Sequence, residues 1–277
     1  MKKFLISCGG TGGHLSPGIA LAEGLIARGH EACLLISRKK VDGRLSEKYP
    51  HLRFERMPGT GFAWNPLQLA KCSLSQSQAV WFCLRLMRSM RPAAVIGFGG
   101  FTSAPVVLAA RVSGVPCALH ESNRVPGRAV RTLGRLAQRV YLPPGIHVPR
   151  IRAAAVREMG LPVRREFSRR LAAGARTALG LDADKKLLVV LGGSQGASAL
   201  NDWARRHVGE FAVDGIQLFV VTGLGKGREE TIEFPARAGG TTRAVFAPFS
   251  DRMAELISAA DLVVSRAGAG TLAELAR

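Results

Sequence analysis

The chain contains 277 residues, 47% of them hydrophobic and 6% aromatic, and its formal net charge at pH 7 is +19. This length and apolar content suit two globular domains and exclude an intrinsically disordered chain. No stretch approaches the roughly 18 uninterrupted apolar residues of a transmembrane helix, so we expect no membrane span.

The first predicted element is a strand that ends in a glycine-rich loop. Residues 4–8 form an apolar run too short for a signal peptide, and residues 9–14 read GGTGGH. Apolar side chains then recur at helical spacing between residues 19 and 26, and a second apolar run follows at residues 32–36. The segment is therefore predicted to form a right-handed βαβ unit.

The same pattern of strand, glycine loop and helix returns three times. It begins at residue 93 with a loop at 98–105, at residue 187 with a loop at 192–197, and at residue 262 with a loop at 266–271. Two units fall in each half of the chain. This predicts an α/β protein with two Rossmann-like domains that face a cleft.

Residues 141–186 separate the two halves. This stretch is rich in proline and arginine and has weak periodicity, apart from a helix predicted from about residue 165 to 179. We expect residues 156–160 to form a short strand of the second half. The predicted domains are therefore residues 1–155 and residues 156–277.

The five cysteines have no metal-binding or disulfide pattern. They are scattered, odd in number and without a CxxC pair: Cys8, Cys33, Cys72, Cys83 and Cys117. We expect buried thiols in a reducing compartment and no metal site.

The glycine loops predict phosphate binding. A glycine-rich turn between a strand and a helix lets backbone N–H groups and the positive helix end face an anion. None of the four loops has the GxGxxG dinucleotide pattern with a later acidic residue, or the GxxxxGK[ST] pattern, which argues against dehydrogenases and P-loop NTPases. For any single loop, close packing of helix on strand is an equal explanation, but four loops in matched halves favour ligand binding.

His14 and Glu121 are the candidate acid–base residues. His14 follows the first loop at a predicted helix start, where an imidazole is able to take a proton near neutral pH, although a lone histidine is often structural. Glu121 lies in the sequence HESN at residues 120–123, after an apolar stretch at 115–119. Its position is compatible with three roles: orienting His14, acting as the base, or capping a helix.

The positive charge is concentrated in the first half. Residues 1–150 contain 21 Lys and Arg against 6 Asp and Glu. One explanation is a solvated, arginine-rich surface; the other is an anionic partner, either acidic lipid, a pyrophosphate substrate or nucleic acid. Because no nucleic-acid recognition motif accompanies the charge, nucleic acid is not an expected partner.

Residues 62–90 combine bulky apolar side chains with Lys71, Arg85 and Arg88. The apolar residues include Trp64, Leu67, Leu69, Leu74, Trp81 and Phe82. The simpler interpretation is a helical hairpin packed on the core. The alternative is an apolar patch with a basic rim on a membrane surface.

These motifs together resemble the MurG family, the transferases that add N-acetylglucosamine to the lipid-linked muramyl-peptide intermediate of peptidoglycan. The resemblance rests on GGTGGHxxPG at the start, GxGGFxSxP at 97–105, HExN at 120–123, PVR at 162–164, GGSQGA at 192–197 and RxGxxTxxE at 266–274. They span nearly the whole chain. The family's fold is the GT-B type.

The resemblance implies a set of site residues. Thr11, Gly12 and Gly13 would contact phosphates, His14 would be the general base and Asn123 would bind the donor sugar. Arg164 and Ser194 would hold the donor diphosphate. The remaining residues would frame the uridine, with Glu274 on the ribose: Ala269, Gly270, Thr271 and Glu274. For Glu274 alone, the simpler explanation is an acid in the first turn of a helix.

The resemblance also implies the partners and the reaction. The donor would be UDP-N-acetylglucosamine, the acceptor undecaprenyl-linked muramyl-pentapeptide, and the location the cytoplasmic face of the bacterial inner membrane, bound peripherally to anionic lipid. The family is described as needing no catalytic metal, this sequence lacks a DxD motif, and no cofactor is expected. The implied mechanism is a single inverting displacement.

Two departures from the family pattern bear on these expectations. Leu161 replaces the usual asparagine before PVR, which weakens the assignment of Arg164. The chain ends at Arg277 within a predicted helix, so we expect an incomplete C-terminal domain with exposed apolar faces and sheet edges.

Three other functions are compatible with the sequence. One is a different lipid glycosyltransferase of the same fold, such as a galactosyltransferase, and another is an epimerase. The third is an inactive, truncated remnant that binds nucleotide or membrane. The other glycosyltransferase and the epimerase differ from the MurG reaction in the acceptor or the sugar that supports UDP release. An inactive remnant would bind UDP without turnover.

Overall fold

The computed structural model describes the backbone at residues 1–59, 66–168 and 170–277, and the side chains of the same ranges except residues 66–71. The chain divides into two compact units, Met1–Arg165 and Glu166–Arg277. Each unit contains its own sheet and its own apolar core. The predicted α/β class is therefore present in both halves.

The first unit is built on a seven-stranded sheet in the order β3-β2-β1-β4-β5-β6-β7, with every neighbouring pair parallel. Its strands are β1 (Lys3–Ser7), β2 (Glu31–Ile36), β3 (Arg53–Arg56), β4 (Ala94–Gly97), β5 (Cys117–His120), β6 (Arg139–Leu142) and β7 (Val156–Glu158). Because all strands run in one direction, the loops after their carboxyl ends meet at one sheet edge. The glycine loop after β1 and the loop after β4 lie at this edge.

Helices cover both faces of this sheet. They are α1 (Gly12–Ile26), α2 (Lys40–Glu47), α3 (Pro66–Met90), α4 (Ser103–Val112) and α5 (Arg128–Leu133). Alternation along the strands sends Leu5 and Leu35 into one apolar cluster and Ile6 and Leu34 into another. The near-continuous apolar runs of β1 and β2 follow from burial on both faces.

The second unit repeats this plan with five strands in the order β10-β11-β9-β8-β12. The strands are β8 (Leu187–Leu191), β9 (Gln217–Val221), β10 (Glu230–Pro235), β11 (Thr241–Ala247) and β12 (Leu262–Ser265). Only β10 is antiparallel to its neighbour. The helices are α6 (Ala172–Ala178), α7 (Ser198–Val213), α8 (Met253–Ala259) and α9 (Ala269–Leu275).

The domain boundary lies later than residue 155. The strand β7 pairs with β6 and is the last strand of the first sheet, so the prediction that residues 156–160 belong with the second half is wrong. All three residues of β7 pair in parallel with residues of β6, so the strand extends the first sheet despite its short length. The helix expected at residues 165–179 is also shorter, since α6 begins at Ala172.

The segment after residue 65 is one helix and not a hairpin. In α3, the buried residues Cys72, Ala79, Cys83, Met87 and Met90 recur at intervals of three to seven, which places one stripe on the core. The predicted apolar residue Trp64 lies outside the described residues, as do the side chains of Leu67, Leu69 and Lys71. All five cysteines are free and buried.

In the ranges that the structure describes, no helix is both long enough and apolar enough to cross a membrane.

Candidate active site

The loop at residues 9–14 is held by a buried carboxylate from the first turn of α2. The N–H group of Gly10 donates to Oδ2 of Asp42 at 2.7 Å, and the Ser37 N–H and hydroxyl donate to the same oxygen at 2.9 and 2.6 Å. Asp42 has no exposed surface. Because a buried carboxylate with three donors is strongly held, it fixes the first loop against the start of α2.

A second loop, after β4, closes on the first from the other side. The Thr102 hydroxyl donates to the carbonyl of Gly9 at 3.1 Å, and Ser103 Oγ donates to the carbonyl of Gly99 at 2.7 Å. Both hydroxyl side chains are fully buried. The two glycine loops of the first unit therefore form one hydrogen-bonded cluster at the carboxyl edge of the sheet.

His14 lies between these two loops. Its Nδ1 is 3.1 Å from the Thr11 hydroxyl oxygen. Its ring packs on the backbone of Gly100, whose φ is +71°, and a Cβ at that position would lie 3.2 Å from Nδ1. Glycine is required here because a side chain would displace the imidazole. Nε2 has no hydrogen-bond partner among the described residues and lies beside the backbone of Gly99.

Burial lowers the pKa of His14 from its ordinary value of 6.5. The Lys39 ammonium acts in the same direction, while the carboxylates of Glu121 and Asp42 oppose it. Because the pKa of His14 is lowered overall, the imidazole is neutral at pH 7. A neutral imidazole with a free nitrogen is the state that a general base requires.

Glu121 organises its own loop. Its Oε1 accepts hydrogen bonds from the backbone N–H groups of Ser122 and Asn123 and from the Asn123 amide, each at 2.9 Å. Its Oε2 accepts from the N–H of Gly127, the N-cap of α5, at 2.6 Å. Four donors occupy this buried carboxylate, so of the three predicted roles the geometry supports capping. The candidate sugar ligand Asn123 is exposed, and its amide nitrogen is used in this network.

Arg164 lies inside the first unit. Its side chain is 5% exposed, and Nη1 donates to the Tyr49 hydroxyl at 2.9 Å. This placement does not present the guanidinium to a ligand, in contrast to its predicted contact with a diphosphate. Nearby, Nε2 of the buried His120 donates to the carbonyl of Gly160 at 3.2 Å, and burial lowers the pKa of His120. Both contacts anchor the segment that follows β7.

In the second unit, Ser194 lies in a glycine loop that is locked to a neighbouring loop. Gly196, with a φ of +68°, packs directly on the backbone of Thr222 and Gly223, where no side chain would fit. Buried Asn201 of α7 donates to the Thr222 carbonyl at 2.9 Å. Ser194 itself is partly exposed at the turn, a position open to a ligand.

The predicted uridine-binding residues lie on α9. The helix begins at Ala269, so Gly270 and Thr271 are in its first turn, and all three are partly exposed. Glu274 is the sixth residue of the helix, which rules out an acid of the first turn as its explanation. Arg266, at the start of this motif, packs its guanidinium against Gly193, so the two loops of the second unit are neighbours.

Sequence reasoning missed Asp42, Lys39, Thr102 and Lys226 as parts of these loop clusters. Asp42 and Lys39 follow β2, the strand next to β1, so the rule that neighbouring parallel strands end at one edge would have placed them at the first loop. The sequence TGLGKG at residues 222–227 is a further glycine loop, after β9. Within the described ranges, no group of three or more His, Cys, Asp or Glu residues is arranged to hold a metal ion.

Comparison with known proteins identifies relatives along the whole chain. Residues 4–142 match the model of the glycosyltransferase family 28 N-terminal domain, and residues 187–277 match that of its C-terminal domain. An Opitutus terrae protein is 61% identical over 277 residues, which cover 100% of this chain and 74% of that protein. Its name is UDP-N-acetylglucosamine--N-acetylmuramyl-(pentapeptide) pyrophosphoryl-undecaprenol N-acetylglucosamine transferase. A Clavibacter sepedonicus protein of the same name is 37% identical, over 99% of this chain and 74% of its own length.

Solved structures of glycosyltransferases are similar to this chain as well. The crystal structure of Acinetobacter baumannii MurG has a TM-score of 0.64 and 27% identity, over 100% of this chain and 76% of that chain. Arabidopsis thaliana UGT89C1, complexed with UDP-L-rhamnose, has a TM-score of 0.63 at 14% identity, over 99% of this chain and 76% of that chain, and supports the fold alone. The predicted two-domain α/β fold is confirmed.

Proposed function

Because the chain belongs to the MurG family within glycosyltransferase family 28, we propose that it transfers N-acetylglucosamine from UDP-N-acetylglucosamine to undecaprenyl-pyrophosphoryl-N-acetylmuramyl-pentapeptide. The observation that supports this most strongly is the position of the His14 imidazole between two glycine loops, with Nδ1 held by Thr11 and Nε2 without a hydrogen-bond partner among the described residues. A sugar hydroxyl acceptor needs a base of this kind. The relatives' names supply the donor and the acceptor.

The reaction is a single displacement with inversion. Nε2 of His14 takes the proton of the muramyl C4 hydroxyl, and the oxygen forms a bond to the anomeric carbon of N-acetylglucosamine. The bond between that carbon and the β-phosphate oxygen breaks, and UDP leaves with the electron pair. Thr11 fixes the imidazole through Nδ1, so that Nε2 faces the acceptor.

Residues of the second unit would stabilise the negative charge that develops on the departing UDP. Ser194 and the N–H groups around the start of α7 would face the diphosphate, and the positive end of this 16-residue helix stabilises developing negative charge. Ala269 to Thr271 and Glu274 would hold the uridine. We omit Arg164 from the diphosphate site, because its guanidinium is buried against Tyr49.

The experiment is a transfer assay with a panel of donors and acceptors. The protein is incubated with UDP-N-acetylglucosamine and the lipid-linked muramyl-pentapeptide, and UDP release and the glycosylated lipid are measured. UDP-galactose with diacylglycerol, and UDP-N-acetylglucosamine without acceptor, serve as comparisons. Product formed only with the muramyl lipid supports the proposal. Galactosyl transfer would indicate the galactosyltransferase, and conversion of the free UDP-sugar would indicate the epimerase. UDP binding without turnover would indicate the inactive remnant.

We further propose that the protein binds the anionic cytoplasmic face of the bacterial inner membrane through α3. Leu74 and Trp81 on this helix are 64% and 60% exposed, and the Arg85 guanidinium lies 4.6 Å from the centre of the Trp81 ring. Arg88 is exposed on the same side, one turn further on. An apolar stripe with basic neighbours suits a peripheral interaction with acidic headgroups.

Vesicle sedimentation tests this second proposal. Vesicles with anionic phosphatidylglycerol are expected to sediment the protein at low salt, less so at high salt, and neutral phosphatidylcholine vesicles are expected to sediment much less. Absence of binding to anionic vesicles at every salt concentration would remove the membrane proposal while leaving the transfer reaction intact.

A further inference from the structure

A lysine from a neighbouring loop reaches the first glycine loop. The Lys39 ammonium donates to the carbonyl of Gly10 at 3.1 Å and lies 5.4 Å from the centre of the Phe101 ring. Lys39 is exposed, so the remaining ammonium hydrogens are open to solvent or a ligand. The ammonium is also close enough to His14 to affect the titration of the imidazole.

The second unit has a lysine in a similar setting. The Lys226 ammonium donates to Oγ of Ser198, the first residue of α7, at 2.8 Å. Its loop is braced by the Thr222 hydroxyl, which donates to the Lys226 carbonyl at 3.0 Å. The ammonium is thereby held beside the loop that contains Ser194.

The two lysines occupy equivalent places in the two sheets. Lys39 follows β2, which pairs with β1, the strand before the first glycine loop. Lys226 follows β9, which pairs with β8, the strand before the loop at residues 192–197. The same arrangement therefore occurs once in each unit, although the surrounding sequences differ.

Both positions combine an ammonium group with the amino end of a helix. The Lys39 ammonium lies by the amino end of the 15-residue α1, and the Lys226 ammonium lies by that of the 16-residue α7. The amino end of a helix is the positive end of its dipole. In the described part of the chain, no carboxylate forms an ion pair with either lysine. A phosphate group between the ammonium and the helix end would be attracted by both positive charges.

We propose that Lys39 and Lys226 are substrate-binding residues, each contacting a pyrophosphate at the glycine loop of its own unit. The assignment of ligands rests on the proposed function: the lipid-linked pyrophosphate of the acceptor for Lys39, and the diphosphate of UDP for Lys226. Neither residue exchanges a proton or a bond with the substrates. Their contribution is charge neutralisation and placement of the phosphates.

The test compares K39M and K226M, with K39R and K226R as charge-preserving variants. Exposed neighbours provide matched controls, K40M for the first unit and R228M for the second. Binding of UDP is measured by calorimetry, and binding of a labelled lipid-linked acceptor is measured directly in detergent, so neither measurement depends on turnover. KM values for donor and acceptor are determined for the same proteins. Melting curves accompany each variant.

K226M is expected to weaken UDP binding about 10-fold or more, the scale of one charge-assisted contact, and to leave acceptor binding unchanged. K39M is expected to do the reverse. The arginine variants should recover most of the loss, and K40M and R228M should match wild type. Equal losses in K40M or R228M, or unchanged binding in K39M and K226M, would overturn the proposal.

The acceptor also includes lipid, so the source of the anion at Lys39 is tested separately. Anionic vesicles without acceptor should bind K39M as well as wild type; a loss there would assign Lys39 to headgroups and overturn its role in acceptor binding. Wild-type protein that binds UDP and acceptor but transfers no sugar would contradict the proposed function, while the two binding comparisons would still decide the roles of the lysines.

Discussion

At the scale of single residues, hydrogen-bond occupancy separates the two acid–base candidates. Glu121 uses both carboxylate oxygens on four N–H donors, whereas His14 uses one ring nitrogen and keeps the other open. A general base needs a lone pair that faces the acceptor, and proton uptake by the Glu121 carboxylate would weaken the hydrogen bonds that hold its loop together. His14 is therefore the base in the proposed mechanism, and Glu121 keeps its loop in place.

The lowered pKa of His14 predicts the pH dependence of turnover. Because burial places its pKa below 6.5, the imidazole stays neutral at pH 7 and becomes protonated only in more acidic solution. The rate is expected to be level near neutral pH and to fall as the pH drops below about 6.5. We expect kcat/KM measured from pH 5 to 8 to show this acid limb. A limb centred above pH 7 would contradict the assignment.

Asp42 is predicted to be a stability determinant of the first loop. Asp42→Ala removes the acceptor of three donors, two of which are buried N–H groups, and should lower the free energy of unfolding by about 3 kcal/mol. Ser37→Ala removes only one of these bonds and should cost about 1 kcal/mol. Urea denaturation followed by fluorescence measures both. Equal effects of the two variants would show that the carboxylate does not anchor Gly10.

Much of the local structure could be predicted because its signals are local. Residues 187–191 and 262–265 are apolar runs beside glycine loops, and both are strands with those bounds. The pairing of Asp42 with Gly10 joins residues 32 positions apart, and no local pattern indicates it. The same holds for Arg164, whose partner Tyr49 is 115 positions away, so its burial was outside the reach of motif comparison.

At the scale of elements, the structure corrects two predictions, each for its own reason. The strand β7 is only three residues long, and nothing in Val156–Glu158 shows which sheet it joins. The segment before residue 90 contains apolar residues on more than one face, which suggested two packed helices. In α3 a single stripe packs on the core, and Leu74 and Trp81 remain exposed, so the second apolar face was mistaken for core.

This exposed face of α3 gives a prediction for membrane binding. Leu74→Ser combined with Trp81→Ser should reduce sedimentation with anionic vesicles about 10-fold, because two apolar side chains no longer enter the headgroup region. Turnover of a detergent-solubilised acceptor should change little. The control is Ser73→Ala with Ser77→Ala, two exposed polar positions on the same helix. Wild-type sedimentation of the double serine variant would contradict the role of this face.

At the scale of the whole molecule, the two units share one plan and the first contains most of the excess positive charge. Residues 1–150 have 21 basic against 6 acidic side chains, and both proposed anionic partners of the first unit, acceptor pyrophosphate and lipid headgroups, make use of that charge. The duplicated glycine loops were visible in the sequence. The equivalent lysines were not, because their relation depends on the strand order of each sheet.

The most direct test of the central claim is the rate of N-acetylglucosamine transfer to the lipid-linked muramyl-pentapeptide by wild type and His14→Ala, with UDP binding measured on both. The account predicts transfer by the wild type, a decrease of about 10²-fold or more in kcat for the variant, and nearly equal UDP affinities. Transfer at the wild-type rate by His14→Ala would contradict it.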